Sequence, residues 1–118
     1  MGKLTTHVLD TANGCPARGM AVTLYRMGLD GQAEELRRLV LNEDGRADAP
    51  LLAGDAYRTG RYRLVFELAA YFRSRGHRLQ EPPFLDRVQL DFGLSADEPH
   101  YHVPLLASPW AYSTYRGS

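Results

Sequence analysis

Cysteine is nearly absent from this chain: Cys15 is the only one in 118 residues. No disulfide can close within the molecule, which fits a reducing compartment. An excess of charge is equally missing, because 14 basic residues are matched by 14 acidic ones and the formal net charge is zero. A long-range field that would gather nucleic acid or an anionic membrane is therefore lacking. No apolar run approaches the ~20 residues that a bilayer-spanning helix requires, and the first residues carry no charged-then-apolar export pattern. These absences make the cytoplasm the expected compartment, with neither nucleic acid nor membrane as a partner. There is also no internal repeat, no low-complexity tract and no Gly-rich phosphate loop. Ser108, Ser113 and Ser118 lack a Gly-x-Ser-x-Gly elbow, so a serine nucleophile of the hydrolase type is disfavoured.

What is present reads as many short strands with one helical interruption. The length suits one domain, 1–118, large enough to bury roughly 65% of its unfolded surface. Leu4 to Leu9, Met20 to Met27, Leu36 to Leu41, Arg61 to Glu67, the Val88, Leu90, Phe92 series, Tyr101 to Leu106 and Trp110 to Tyr115 are β-rich or alternate in polarity. Leu51-Leu52 adds a short strand. Between them lie turn signals: Asn13-Gly14, Pro16 and Gly19 within a loop from Asp10 to Gly19, then Gly28 to Gly31, and Asp44-Gly45. After Glu67 the period changes. Leu68, Tyr71, Phe72 and Arg75 fall at i, i+3, i+4 and i+7, which predicts a helix of about two turns that Gly76 stops. Strands at this spacing with Gly- and Pro-bearing loops predict a mainly β fold, a β-sandwich with one short helix.

A few residues carry chemistry. His7 sits mid-strand on the parity of Thr5 and Leu9, opposite Leu4, Thr6 and Val8. Alone, such a histidine is more often a hydrogen-bonded structural residue than a catalyst. With His102 and Arg46 it forms a repertoire suited to hydrolysis: a neutral imidazole takes a proton from water near pH 7, and a guanidinium holds a planar, oxygen-rich anion. His100 and His102 are two apart on one strand and share a face, which is half of a zinc site. No cysteine pair, His-Glu-x-x-His sequence or acidic cluster supplies the rest, and a solvated His100 is the favoured reading. Cys15, between Gly14 and Pro16, reads as an inert loop thiol. Arg37-Arg38 and the Arg73, Arg75, Arg78 set read as solvated faces. The chain end is unusual, because strands run almost to it and leave Arg116, Gly117 and Ser118 tethered close to a rigid element.

Several stretches together resemble one family. Leu4-Thr5-Thr6-His7-Val8-Leu9-Asp10 followed by Gly14-Cys15-Pro16-Ala17, then Asn42-Glu43-Asp44-Gly45-Arg46, Phe84-Leu85-Asp86-Arg87-Val88 and Tyr101-His102-Val103-Pro104-Leu105-Leu106 are similar, in order, to landmarks of the transthyretin-like family. The closing Tyr115-Arg116-Gly117-Ser118 resembles its 5-hydroxyisourate-hydrolysing branch, whereas the hormone-carrying branch replaces both histidines and lacks this ending. Trp110 and Ala111 depart from that branch's usual tyrosine or phenylalanine and glycine or serine.

The resemblance implies two four-stranded sheets with one short helix, assembled as a homotetramer with active sites at the dimer–dimer interface. It implies hydrolysis of 5-hydroxyisourate to 2-oxo-4-hydroxy-4-carboxy-5-ureidoimidazoline in urate degradation, with no metal or organic cofactor. Carried over residue by residue, it implies His7, Arg46, His102 and Ser118 as catalytic, with His7, Arg46 and Tyr115 binding substrate. Which histidine is the base stays open at this point. The alternative reading is a small-ligand carrier without catalysis.

Overall fold

The computed structural model describes residues 2–117. Strand β1 (Lys3–Asp10) shows the period of a half-buried strand: Leu4, Thr6, Val8 and Asp10 are buried, while Thr5 and His7 are half-buried and Lys3 and Leu9 exposed. Strand β2 (Cys15–Pro16) folds back antiparallel on the end of β1, pairing Cys15 with Asp10 and Pro16 with Leu9. The chain then leaves for a second sheet. Strands β3 (Ala21–Met27) and β4 (Ala33–Val40) form a hairpin, with a register shift between Leu24 and Tyr25. Strand β5 (Leu52–Ala53) returns to pair with the start of β1. Strands β6 (Gly60–Phe66) and β7 (Val88–Leu94) complete the second sheet in the order β4-β3-β6-β7.

Strand β8 (His100–Ala107) goes back to the first sheet and lies parallel to β1, and β9 (Tyr112–Thr114) closes that sheet in the order β2-β1-β8-β9. A parallel pair cannot be joined by a tight hairpin; here the entire second sheet is the crossover. The inner rows of the two sheets meet in one core, in which Leu4, Val8, Val22, Leu24, Tyr62, Leu64, Phe66 and Leu105 are at most 1% exposed. Burial of such side chains contributes ~1.5–3 kcal/mol each before the entropy of ordering is counted.

Helix α1 (Leu68–Ser74) packs Leu68, Ala69, Tyr71 and Phe72 inward, as its period predicts. Gly76, at φ 88°, supplies the left-handed residue that ends it. Glu67 makes no capping hydrogen bond and instead pairs with Arg87 at 3.0 Å. Tyr71 donates at 2.7 Å to the carboxylate of Asp10, which also accepts from the Asn13 amide at 2.8 Å and its side chain at 2.6 Å. Burial pushes Asp10 towards the neutral acid, but the bonds from Asn13 and Tyr71 outweigh it and leave its pKa below the ordinary carboxylate value. This network ties the helix to the first sheet.

Most expected strand ends shift by a single residue, and three expectations differ by more. The Asp10–Gly19 loop contains β2, a two-residue pairing too short to register as alternation. The β4 strand starts at Ala33, because Ala33, Glu34 and Glu35 pair with Met27, Arg26 and Tyr25 on an exposed edge that hydrophobicity does not mark. The β9 strand is only Tyr112–Thr114, since Trp110 sits in a turn closed by Ser108, whose Oγ accepts the Ala111 amide at 3.1 Å.

Candidate active site

The outward face of the first sheet collects the ionisable groups. Parallel register sets Thr5 beside His102 and His7 beside Pro104, with Lys3 beside His100 one step earlier and Leu9 beside Leu106 one step later. Side chains two apart on a strand share a face, so the row reads Lys3, Thr5, His7, Leu9 on β1 and His100, His102, Pro104, Leu106 on β8. Every residue between them points into the core.

Arg46 arrives from elsewhere. The segment Asn42–Arg46 is a turn wound around the Asn42 side chain: Oδ1 accepts the amides of Asp44 at 2.9 Å and Arg46 at 3.1 Å, while Nδ2 donates to Asp48 at 3.0 Å. Gly45 has φ 73°, and a Cβ there would lie 2.5 Å from the Val8 carbonyl oxygen. The position therefore requires glycine for both backbone conformation and space. The Gly45 carbonyl accepts the Val8 amide at 2.9 Å, and Arg46 forms an isolated antiparallel bridge with His7. The turn thus docks on β1 beside His7, and the exposed Arg46 side chain faces both histidines electrostatically.

That field is visible in the histidines. Burial, and then the Arg46 charge, hold the His7 pKa below the ordinary imidazole value, against an opposing pull from the backbone carbonyl and carboxylate of Asp44. Burial, then Arg46 and then His7 lower His102 in the same way. Both shifts favour the neutral ring, the state in which imidazole works as a base or as a neutral donor. Nδ1 of His102 lies 2.8 Å from the Thr5 hydroxyl.

The chain end packs against His102. The Gly117 amide donates to the His102 carbonyl at 2.7 Å. A Cβ on Gly117 would stand 2.8 Å from Cδ2 of the His102 ring, 3.1 Å from its Cβ and 3.3 Å from its Cγ. The Gly117 φ is not in the left-handed region, so glycine serves close approach to the ring here rather than a tight bend. Arg116 holds the tail: its guanidinium is 3.7 Å from Glu98 and lies over the Tyr101 ring at 5.7 Å from the centroid.

Of the residues picked from sequence, His7, Arg46 and His102 come together. Tyr115 does not join them within one chain. It is exposed and lines a cavity of ≈ 350 Å³ at the open edge between β7 and the tail, with Phe92, Tyr101, Val103 and Arg116 among its walls. Ser118 lies outside the described residues. His100 is exposed beside Lys3. Among the described residues no cluster of three or more His, Cys, Asp or Glu side chains is arranged to hold a metal ion.

Two small cavities that share Thr5 flank the ionisable row. One of ≈ 200 Å³ is lined by Arg46 and Asp48 among others, and one of ≈ 240 Å³ by Lys3, His100 and His102. A larger concavity of ≈ 590 Å³ lies on the second sheet, but its Arg63 and Arg87 are already paired with Asp91 and Glu67. Sequence reasoning missed Thr5, Asn42 and Glu98 as supports. Thr5 had a signal, its shared parity with His7, and Asn42 another, its place two residues before Asp44-Gly45.

The chain matches the HIUase/Transthyretin family over residues 4–117. It is 56% identical to the 5-hydroxyisourate hydrolase of Pseudomonas aeruginosa over 119 residues, covering 100% of this chain and 93% of that protein. Among solved structures it superposes on an (S)-allantoin synthase with TM-score 0.91 and 46% identity, covering 99% of this chain but only 44% of that longer one. It also superposes on sea bream transthyretin in complex with thyroxine, with TM-score 0.86 and 26% identity over 98% of this chain and 94% of that one.

Proposed function

Because this chain belongs to the HIUase/Transthyretin family, we propose that it is a hydrolase that opens 5-hydroxyisourate at a ring amide and yields 2-oxo-4-hydroxy-4-carboxy-5-ureidoimidazoline. The observation that carries this reading is the grouping of His7 and His102 with Arg46 at one outward face, where burial and the arginine favour the neutral imidazoles. The 56% identity to a 5-hydroxyisourate hydrolase supports the substrate. The sandwich alone does not decide between catalysis and carriage, since transthyretin shares it at 26% identity.

In this reading Arg46 holds the carbonyl or anionic edge of the substrate and stabilises the oxyanion that develops on attack. One histidine takes a proton from water, and the other orients the reacting groups or serves the leaving nitrogen. The shallowness of the face favours completion by a second copy. The exposed Leu9, together with Leu106 on the same row, gives the site an apolar rim suited to a subunit contact, and the open edges of β7 and β9 offer unpaired backbone for another chain. The assembly is a homotetramer, paired through these edges and then face to face. It brings the tail around Tyr115 to the pocket wall.

The test is ultraviolet loss of freshly generated 5-hydroxyisourate, corrected for spontaneous decay. His7→Ala, Arg46→Ala and His102→Ala are each expected to lower turnover by on the order of 10²-fold or more with the fold retained, whereas His100→Ala leaves most activity. Wild-type protein without activity, or sedimentation as monomer only at micromolar concentration, overturns the catalytic reading or the shared site respectively.

A further inference from the structure

The proposed reaction needs two chemically different imidazoles, yet sequence gives two of the same residue. Their surroundings differ. Nδ1 of His102 faces the hydroxyl of Thr5 at 2.8 Å across the β1–β8 pair. We propose that Thr5 is a positioning residue whose hydroxyl donates to Nδ1 of His102, which leaves the ring's proton on Nε2 and makes His102 a neutral hydrogen-bond donor towards the substrate. This rests on the hydrolase reading above.

The other threonine hydroxyls along the first sheet give the contrast. Thr6 donates to the Val103 carbonyl at 2.7 Å, Thr11 to the Ala107 carbonyl at 3.0 Å and Thr114 to the Pro104 carbonyl at 2.7 Å. The bond recorded for the Thr5 hydroxyl is instead to the imidazole nitrogen, and a lone pair is what its proton needs. A β-branched side chain on a strand holds few rotamers, so the hydroxyl is a fixed reference for the ring. Gly117 closes the opposite edge, at Cδ2. The ring is clamped from both sides with its tautomer set.

His7 is backed differently. The backbone carbonyl and carboxylate of Asp44 pull its ring towards the protonated form, against burial and the Arg46 charge, and in this scheme it is the ring that takes the proton of water. The two histidines then divide the work. As the water oxygen bonds to the ring-amide carbon, its proton passes to His7 and the negative charge moves to the carbonyl oxygen, held by Arg46 and the Nε2–H of His102. Collapse of this adduct breaks the C–N bond, and His7 returns the proton to the departing nitrogen. His102 gives up no proton, and both rings end as they began.

The experiment uses the full chain labelled with ¹⁵N-histidine, compared with Thr5→Val and Thr5→Ser. In the wild type at pH above both imidazole midpoints, His102 is expected to show an unprotonated Nδ1 and a protonated Nε2. Thr5→Ser keeps that pattern, with turnover within about twofold, because the hydroxyl remains. Thr5→Val keeps the strand but mixes the tautomers and lowers kcat on the order of tenfold with less change in KM. A wild-type ring protonated at Nδ1 overturns the proposal, as does a Thr5→Val protein with unchanged tautomer and kcat. If His102→Ala keeps full turnover, the catalytic reading of His102 fails instead, whatever the tautomer spectrum records.

Discussion

Replacing Gly117 by alanine adds one carbon and two hydrogens to the tail, yet it tests the architecture of the site closely. The new Cβ meets Cδ2 of His102 at 2.8 Å, where carbon atoms prefer ~3.5 Å or more. Either the ring or the tail must yield by ~0.7 Å. The three atoms nearest this Cβ all belong to His102, and the tail is held by the Gly117–His102 backbone bond at 2.7 Å and by Arg116 against Glu98 and Tyr101. The ring is therefore expected to turn away from the bond to Thr5. Misplacement by ~1 Å costs a positioned catalytic group about 10²-fold, so Gly117→Ala is expected to lose on the order of 10- to 100-fold in kcat, or ~1.4–2.7 kcal/mol on the barrier. Stability responds far less, because φ at this position suits any residue and the change buries no polar group; less than ~1 kcal/mol is expected. Hydroxyisourate decay at saturating substrate, paired with thermal melting, separates the two. Full turnover with an unshifted melt would refute the packing of the tail on His102.

Gly45→Ala should behave oppositely. Its backbone sits at φ 73° and its Cβ would strike the Val8 carbonyl at 2.5 Å, so thermal or urea unfolding should reveal a loss of ~2–3 kcal/mol along with displaced Arg46 and lost activity. The histidines predict a pH response. Burial and Arg46 hold both pKa values below 6.5, so kcat/KM should persist into mildly acidic buffer and fall only as pH passes below the folded-state values. Stability follows the same sign: between 6.5 and those values the unfolded chain binds more protons, so acidification through this window weakens the fold, and above it the histidines contribute nothing. Arg46→Ala removes the second cause of each shift, and proton titration by NMR should place both midpoints nearer 6.5; unmoved midpoints would show that Arg46 does not act on the rings.

Much of this fold is legible because alternation is a local property. Leu4, Thr6 and Val8 inside, with Thr5 and His7 outside, follows from parity alone and holds in the structure. The helix was legible for the same reason, since Leu68, Tyr71 and Phe72 mark its buried stripe. What parity does not give is the neighbour. Thr5 lies beside His102, 97 positions away, because β1 and β8 pair in parallel across the whole second sheet. No turn signal encodes such a register. The turn bearing Arg46 was half legible: Asp44-Gly45 announces a reversal, but its docking on Val8 depends on a glycine close approach between segments distant in sequence.

The site was legible by type and not by placement, and the physical reason explains how one sandwich hosts two trades. Along β1 and β8 the core is built from residues 4, 6, 8, 101, 103 and 105, all buried. The proposed chemistry uses 5, 7 and 102, which project from the other side of the same backbone. A substitution on the outward row leaves the inward row packed, so the face can change from one set of groups to another while the sheets stay as they are. Transthyretin superposes at TM-score 0.86 with 26% identity, which is the expected result when selection for packing and selection for surface chemistry act on alternate residues. The fold therefore fixes where chemistry can sit, and the outward residues decide which chemistry it is.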